Sequence, residues 1–348
     1  MSYQVTRADP TQSADKIAAL WTEVFGPFSR ERYRWLYQDN IAGESLLCLL
    51  HDAAGHEVGS TGLFPRRLCS RTQALSGAIA GDLMVDRKHR SLGPAVQLQR
   101  AALDCAAAAQ VQLVYGFPNN KSAPIMQRVG YKRVGAMAEW VMPLRTDYYL
   151  RKRIPQAWLR RPVALLLDTG LRLRPALLKS AFARHRISVV TDHFDETFDD
   201  LWSRIASGYS LIGEKSADFL DWRYRRCPSD RRQAFMVKSA DAGRLDGYVI
   251  FSNCDKRAHI ADFAHDGQHL SLDELLLRFT LAQHKAGMDA VSLAMAASAD
   301  IIGTVERIGF KPRGEMNPLM LFTPPGAGLE LQDLLAGPWY LVPGDNDT

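Results

Sequence analysis

Four short patterns occur twice along the chain, and in the same order. Trp35-Leu-Tyr37 returns as Trp222-Arg-Tyr224, and Gly59 with its strand returns as Gly247-Tyr-Val-Ile-Phe251. Ala80-Gly-Asp-Leu83 returns as Ile260-Ala-Asp-Phe263, and Arg128-Val-Gly-Tyr-Lys-Arg-Val-Gly135 as Arg307-Ile-Gly-Phe-Lys-Pro-Arg-Gly314. The separations are 187, 188, 180 and 179 residues, differing by no more than one shortened loop explains. One echo would be noise, but four in order across a domain length mark two copies of one fold. The 348 residues suit two domains at roughly 150 residues each.

Composition narrows the class. With 47% hydrophobic and 23% charged residues the chain forms cores and is not disordered. Five widely spaced cysteines, none in a C-x-x-C pair, suggest neither a disulfide framework nor a zinc site, so a reducing, cytoplasmic setting is expected. No leader-like apolar region opens the sequence, and no stretch approaches the ~18 apolar residues that span a bilayer. The net charge of +5 is too mild to indicate nucleic acid as a partner.

That charge is unevenly placed. Between Thr146 and Arg186 ten Lys and Arg residues face only Asp147 and Asp168, so this segment holds +8 and the remainder is slightly acidic. Prolines 155, 162 and 175 break it into short pieces, which reads as a basic helical linker. Its Arg, Leu and Trp158 would also suit peripheral contact with an anionic membrane surface. The expected organisation is a first domain over 1–145, the linker over 146–186, a second domain over 187–330 and a tail over 331–348.

Within the first copy the periodicities predict a strand near Tyr3–Thr6, helices over Ala14–Phe25 and Arg30–Tyr37, and strands over Ser45–Leu50, Glu57–Phe64 and Ala78–Val85. A helix from about Pro94 to Gln110, a strand over Val111–Gly116 and a helix over Ser122–Val129 follow. Between Val85 and Pro94 lies a basic, glycine-containing loop, Asp86-Arg-Lys-His-Arg-Ser-Leu-Gly93. A loop that turns into a helix presents free N–H groups and the positive end of the helix dipole, which is a phosphate site; a simple turn is the bland alternative. His265 and His269 have metal-ligand spacing, but Gly267 between them favours a loop with two solvated histidines, and no metal is expected.

Arg90-Ser-Leu-Gly93-Pro-Ala95, followed by a strand, an Asn, a helix and a Gly-aromatic pair (Tyr115-Gly-Phe-Pro-Asn119 to Gly130-Tyr131), resembles the GNAT superfamily of acyl-CoA-dependent N-acyltransferases. The resemblance covers the whole first copy and, weakly, the second. It implies an α/β (α+β) fold of two tandem GNAT-like domains, each a mixed, mostly antiparallel, splayed sheet flanked by helices. It further implies that amides of Arg90, Ser91, Leu92, Gly93 and Ala95 hold the pyrophosphate of acetyl-CoA or another acyl-CoA, that Val85 ends the strand binding pantetheine, and that Asn119 and Ser122 flank it. Pro94 removes one amide from that cradle.

For chemistry the resemblance implies an amine attacking a thioester. Asp82 is the carboxylate expected at the acceptor, as base or amine anchor, although its match to Asp262 also allows a structural part. The family's usual tyrosine position is Met126 here, which leaves Tyr115 as the candidate proton donor to the thiolate. The second copy has Leu270-Ser-Leu-Asp273 where the loop should be, so only the first copy is expected to bind CoA. The expected function is transfer of an acyl group, acetyl by preference, to a primary amine of a small molecule or sugar intermediate. The alternatives are a non-catalytic protein of the same fold and an aminoacyl-tRNA-dependent transferase of similar tandem architecture.

Overall fold

The computed structural model describes residues 3–71, 73–145, 186–229, 232–240 and 243–347. The basic segment up to residue 185, with the linker and membrane-contact expectations that fall on it, lies outside these residues.

The first copy contains β1 (Gln4–Ala8), α1 (Pro10–Phe25), α2 (Arg30–Tyr33) with a π-helical turn (Arg34–Gln38), β2 (Leu46–His51), β3 (Glu57–Ser70), β4 (Gln73–Val85), α3 (Leu92–Ala108), β5 (Leu113–Gly116), α4 (Ala123–Arg128) and β6 (Lys132–Pro143). The second repeats them: β7 (Arg186–Thr191), α5 (Glu196–Ile205), α6 (Ala217–Leu220) with its π turn (Asp221–Arg225), β9 (Gln233–Ser239), β10 (Leu245–Cys254), β11 (Arg257–His265), α7 (Leu272–Lys285), β12 (Ala290–Ala297), α8 (Ala299–Arg307) and β13 (Lys311–Phe322). Among the described residues only β8 (Leu211–Gly213), α9 (Leu331–Leu335) and β14 (Trp339–Leu341) have no counterpart.

The helices begin where local chemistry allows. Asp9 caps α1 by accepting from the Thr11 amide at 2.7 Å, and Pro10 follows at the first helical position, where a missing N–H is harmless. Gly26, at φ 96°, ends the helix in a conformation a side chain would oppose. In α3 the small residues Ala95, Ala102 and Ala106 face inward with Leu98, which lets the helix lie close on β2 and β3.

One mixed sheet runs through both copies in the order β1-β2-β3-β4-β5-β13-β6-β12-β11-β10-β9-β7. The last strands are exchanged: β13, from the second copy, pairs with β5 of the first, and β6, from the first, pairs with β12 of the second. The two exchanged strands pair with each other at the centre. Strand β6 was not among the predicted elements, and it is the strand that joins the halves. Near this axis Trp35 and Trp222 stack, with centroids 4.7 Å apart and planes 18° apart, and the Trp35 indole donates to the Trp222 carbonyl at 2.9 Å. Arg66 lies over the Trp222 ring and Arg223 over the Trp35 ring. One core cluster spans both copies, while a second sits beneath α3 in the first.

Candidate active site

The site begins with an irregularity in β4. Ser60 pairs with Met84 and Gly62 with Gly81, so Thr61 faces both Asp82 and Leu83, a β-bulge. Asp82 sits at φ 50°, a left-handed conformation that aspartate tolerates better than most residues and that the surroundings must enforce. The parallel ladder between β4 and β5 stops at Ile79↔Tyr115. Beyond it the strands splay, and Ala80, Asp82 and Val85 turn toward a cleft of about 1030 Å³.

One end of this cleft presents unpaired donors. Ser91, the N-cap of α3, is extended and makes no side-chain capping bond, and no acidic residue lies in the first turn. The helix N-terminus therefore keeps its unpaired donors and its partial positive charge. Arg90 is fixed beside it, its Nε donating to the Val85 carbonyl at 3.1 Å. Ser91, Leu92, Ala95 and Arg90 line the cleft here, and Asn119 and Ser122 line the opposite wall. Asn119 accepts from the amides of Lys121 and Ser122 and from the Ser122 hydroxyl, so the start of α4 is held rigidly.

The middle of the cleft is lined by Gln99, which is buried; its amide donates to Thr61 at 3.0 Å and its carbonyl oxygen Oε1 has no partner. A buried acceptor beside a cleft is open to a ligand N–H.

At the far end lies a charged cluster. Asp82, 8% exposed, accepts from both terminal nitrogens of Arg32 at 3.3 Å and from the Tyr37 hydroxyl at 3.0 Å. Arg32 rests 4.8 Å above the Trp21 ring and also donates to the Asp347 carbonyl at 3.1 Å. The Asp347 carboxyl lies against Gly81, where any Cβ would collide with it and with Phe64. Burial, and then the charge of Asp82, push the Asp347 carboxyl up to about 6, against the opposing pull of Arg32. Burial works against the charge of Arg32, but Asp82 outweighs it and holds the guanidinium ionised. Burial and Asp82 raise the Tyr37 phenol well above its ordinary range, so it remains a donor.

Eight of the ten candidate residues line this one cleft: Asp82, Val85, Arg90, Ser91, Leu92, Ala95, Asn119 and Ser122. Gly93 does not; it lies on the exposed side of the first turn of α3, and a Cβ there would meet nothing. Tyr115 does not either. Its side chain is fully buried and its hydroxyl donates to the Asp345 carbonyl at 2.7 Å, while burial raises its phenol far above its usual range. Tyr115 thus anchors the C-terminal segment, and its proton is committed there. Met126, at the family's tyrosine position, does line the cleft.

Sequence reading missed Trp21, Arg32, Gln99 and Asp347. Tyr37 was visible in the Trp-Leu-Tyr echo, and Arg32 could have been sought one helical turn before it. Asp347 carries no local signal.

The second copy differs. His265 is half-buried, held between Tyr209 and the Leu270 carbonyl, and desolvation lowers its affinity for protons, while His269 is exposed. Asp246, Asp266 and His269 place ligand atoms within 4.8 Å of one another. Asp246 is paired with Arg244 and Asp266 with Arg204, so those carboxylates are already neutralised. Among the described residues no helix is long and apolar enough to cross a membrane.

The sequence model of the acetyltransferase (GNAT) domain matches residues 6–134, the span from β1 into β6. Over those residues the first copy is similar to a GNAT domain. The fold of the chain is shared with solved structures. A conserved Enterococcus faecalis protein of unknown function superposes with a TM-score of 0.65 at 15% identity, over 96% of this chain and 75% of its own. A GCN5-related N-acetyltransferase from Anabaena variabilis gives 0.63 at 13% identity, over 92% and 72%. The Saccharomyces cerevisiae N-myristoyltransferase with bound myristoyl-CoA gives 0.55 at 13%, over 97% and 88%. No curated protein sequence matches the chain. GNAT acyltransferases use acyl-CoA, and the cleft fits such a ligand on three counts: an uncapped helix N-terminus, a strand edge left free by the splay, and the orphaned Gln99 oxygen.

Proposed function

We propose that the chain is an acyl-CoA-dependent N-acyltransferase that moves an acyl group, acetyl by preference, to a primary amine of a small molecule or amino-sugar intermediate. The observation that carries this reading is the continuity of the cleft: one cavity joins the open N-terminus of α3 to a pair of carboxylates.

Acyl-CoA supplies the thioester that the amine attacks. The amides at Ser91 and Leu92, with Arg90, bind its diphosphate. The edge of β4 before Val85 accepts the pantetheine arm as an added strand, with Gln99 Oε1 taking one of its amide protons. A primary amine arrives as an ammonium ion. The carboxylates of Asp82 and Asp347 both line the reactive end and offer that ion acceptors. Asp82, fixed by Arg32 and Tyr37, orients it. Asp347, whose affinity for a proton is raised toward neutrality, removes the proton and frees the lone pair. No tyrosine lines the cleft among the described residues, so the thiolate leaves unassisted toward water at the mouth.

Calorimetry with acetyl-CoA, followed by thiol release with a panel of amino sugars, amino acids and diamines, tests the reading. One acetyl-CoA per chain and amine-dependent thiol release are expected. Absent binding overturns the acyl-CoA site, and binding without thiol release across the panel leaves the non-catalytic alternative.

A further inference from the structure

The two copies carry matching charged clusters. Asp82 with Tyr37 and Arg32 is answered by Asp262 with Tyr224 and Lys215: the Tyr224 hydroxyl donates to Asp262 at 3.0 Å, as Tyr37 does to Asp82. The first cluster opens on the cleft, whereas in the second Lys215 is 1% exposed and Asp262 0%. What seals it is the C-terminal segment.

That segment occupies the second copy's splay. The β11–β12 ladder stops at Ile260↔Leu293, as β4–β5 stops at Ile79↔Tyr115. Past that point β14 pairs with the free end of β12, while Tyr340 stacks on Phe263 of β11 at 4.7 Å and donates to its carbonyl at 2.8 Å. The chain then crosses toward the first copy. Arg223 donates to the carbonyls of Pro343 and Gly344, and Tyr115 to that of Asp345. Asp345 and Asp347 are two residues apart and serve different copies. Asp345 lies 3.7 Å from Lys215, and Asp347 lines the cleft of the first copy.

We propose that Lys215 is a positioning residue for the first copy's chemistry: by pairing with both Asp262 and Asp345 it seats the C-terminal segment so that Asp347 stands in the cleft beside Asp82. The assignment rests on the acyltransferase reading above for its functional consequence, and on geometry alone for the seating. Lys215 lies 2.9 Å from Asp262 and is the ammonium between two buried carboxylates. Burial works against its charge, but Asp262 and Asp345 outweigh burial and keep it protonated. Without it the two carboxylates repel in a medium that screens them poorly, and the segment carrying Asp345 moves. The groups facing Asp347 are Asp82 on β4, Arg32 on α2 and Arg66 on β3, none of which belongs to the second copy. The second copy therefore reaches Asp347 through the segment and, less directly, through Trp222 beneath Arg66.

Lys215→Met tests this, with Lys215→Met/Asp262→Asn as a second variant that leaves one fewer unpaired charge should the first fail to fold. Amide hydrogen exchange over residues 339–347 is expected to speed at least tenfold, with residues 73–85 and 92–108 unchanged. The acetyl-CoA Kd should stay within twofold while amine-dependent thiol release falls about tenfold. Adding Asp347→Asn should cause no further loss beyond that of Asp347→Asn alone, whereas a merely structural lysine would give additive losses. Unchanged exchange over 339–347, or additive losses, overturns the proposal. If the parent protein releases no thiol from acetyl-CoA, the acyltransferase reading fails by itself, and the exchange measurement still decides whether Lys215 seats the segment.

Discussion

Among the described residues the two copies share their elements up to the exchanged last strands, yet the open splay with an acidic cluster in it belongs to the first, and three local changes separate them. In the first copy Ser91 leaves the N-terminus of α3 uncapped; in the second, Ser271 caps α7 by accepting from the Glu274 amide, and Asp273 and Glu274 place negative charge in the first turn. The splay is open in the first copy and closed by β14 in the second. The Asp-Tyr-cation cluster faces solvent space in one and is sealed in the other. In the second copy the corresponding splay is filled by packing, and the segment that fills it goes on to place Asp347 in the first copy's cleft.

The largest effect should come from removing that carboxylate. Asp347→Asn is expected to lower kcat/KM for the amine by about 10²- to 10⁴-fold, the range for loss of a general base, with acetyl-CoA binding retained. Steady-state thiol release and calorimetry check both halves. The same change should raise stability at pH 7. A carboxyl whose folded affinity for protons is raised contributes stability that is present below its unfolded value near 3.8 and lost as pH rises through about 6. A variant that keeps its turnover would break the comparison at once, because nothing would then distinguish the open cluster from the sealed one.

The mirror position should respond in stability. Asp262→Ala leaves Lys215 buried with Asp345, 3.7 Å away, as its remaining carboxylate, and is expected to cost about 3–5 kcal/mol, read from urea unfolding midpoints. Asp82→Asn, by contrast, should leave the fold nearly as stable and alter the pH profile. The parent's rate should climb from pH 5 to 7 as Asp347 loses its proton, with a midpoint near 6. Since the charge of Asp82 is one of the causes of that elevation, Asp82→Asn should move the midpoint downward by about one unit, worth about 1.4 kcal/mol. A midpoint that stays put would assign the limb to another group.

What the sequence disclosed follows from how local each feature is. The uncapped end of the cleft is written within Val85–Ala95 and Asn119–Ser122, one strand-loop-helix and the start of the next helix, so motif and periodicity could bring these residues together. The reactive end is assembled from α2, β4 and the C-terminal segment, and no window contains it. Strand β6 escaped because Gly135, Ala136 and Ala138 dilute its alternation and Pro143 ends it. Its exchange with β13 is a long-range pairing that no local pattern encodes. Tyr115 was misplaced for a related reason: on a four-residue strand, residue type gave no indication of which face it takes, and the structure turns it toward Asp345.

The smallest effect should appear at the anion end, where the comparison is sharpest in chemical terms. Ser91→Glu would give α3 the acidic first contact that Asp273 and Glu274 already give α7. The helix would keep its fold, since an acidic residue there favours the dipole. The diphosphate, however, would meet a carboxylate where it expects bare amides. Roughly tenfold weaker acetyl-CoA binding follows, about 1.4 kcal/mol, shrinking as salt is raised because the mouth of the cleft is open to water. Gly93→Ala, one turn face away and outside the cleft, should change the Kd by less than twofold. Calorimetry at two ionic strengths separates the cases. If Gly93→Ala proves as damaging as Ser91→Glu, the diphosphate lies over the outer face of the first turn, and the difference between α3 and α7 must be sought in the loop before the cap.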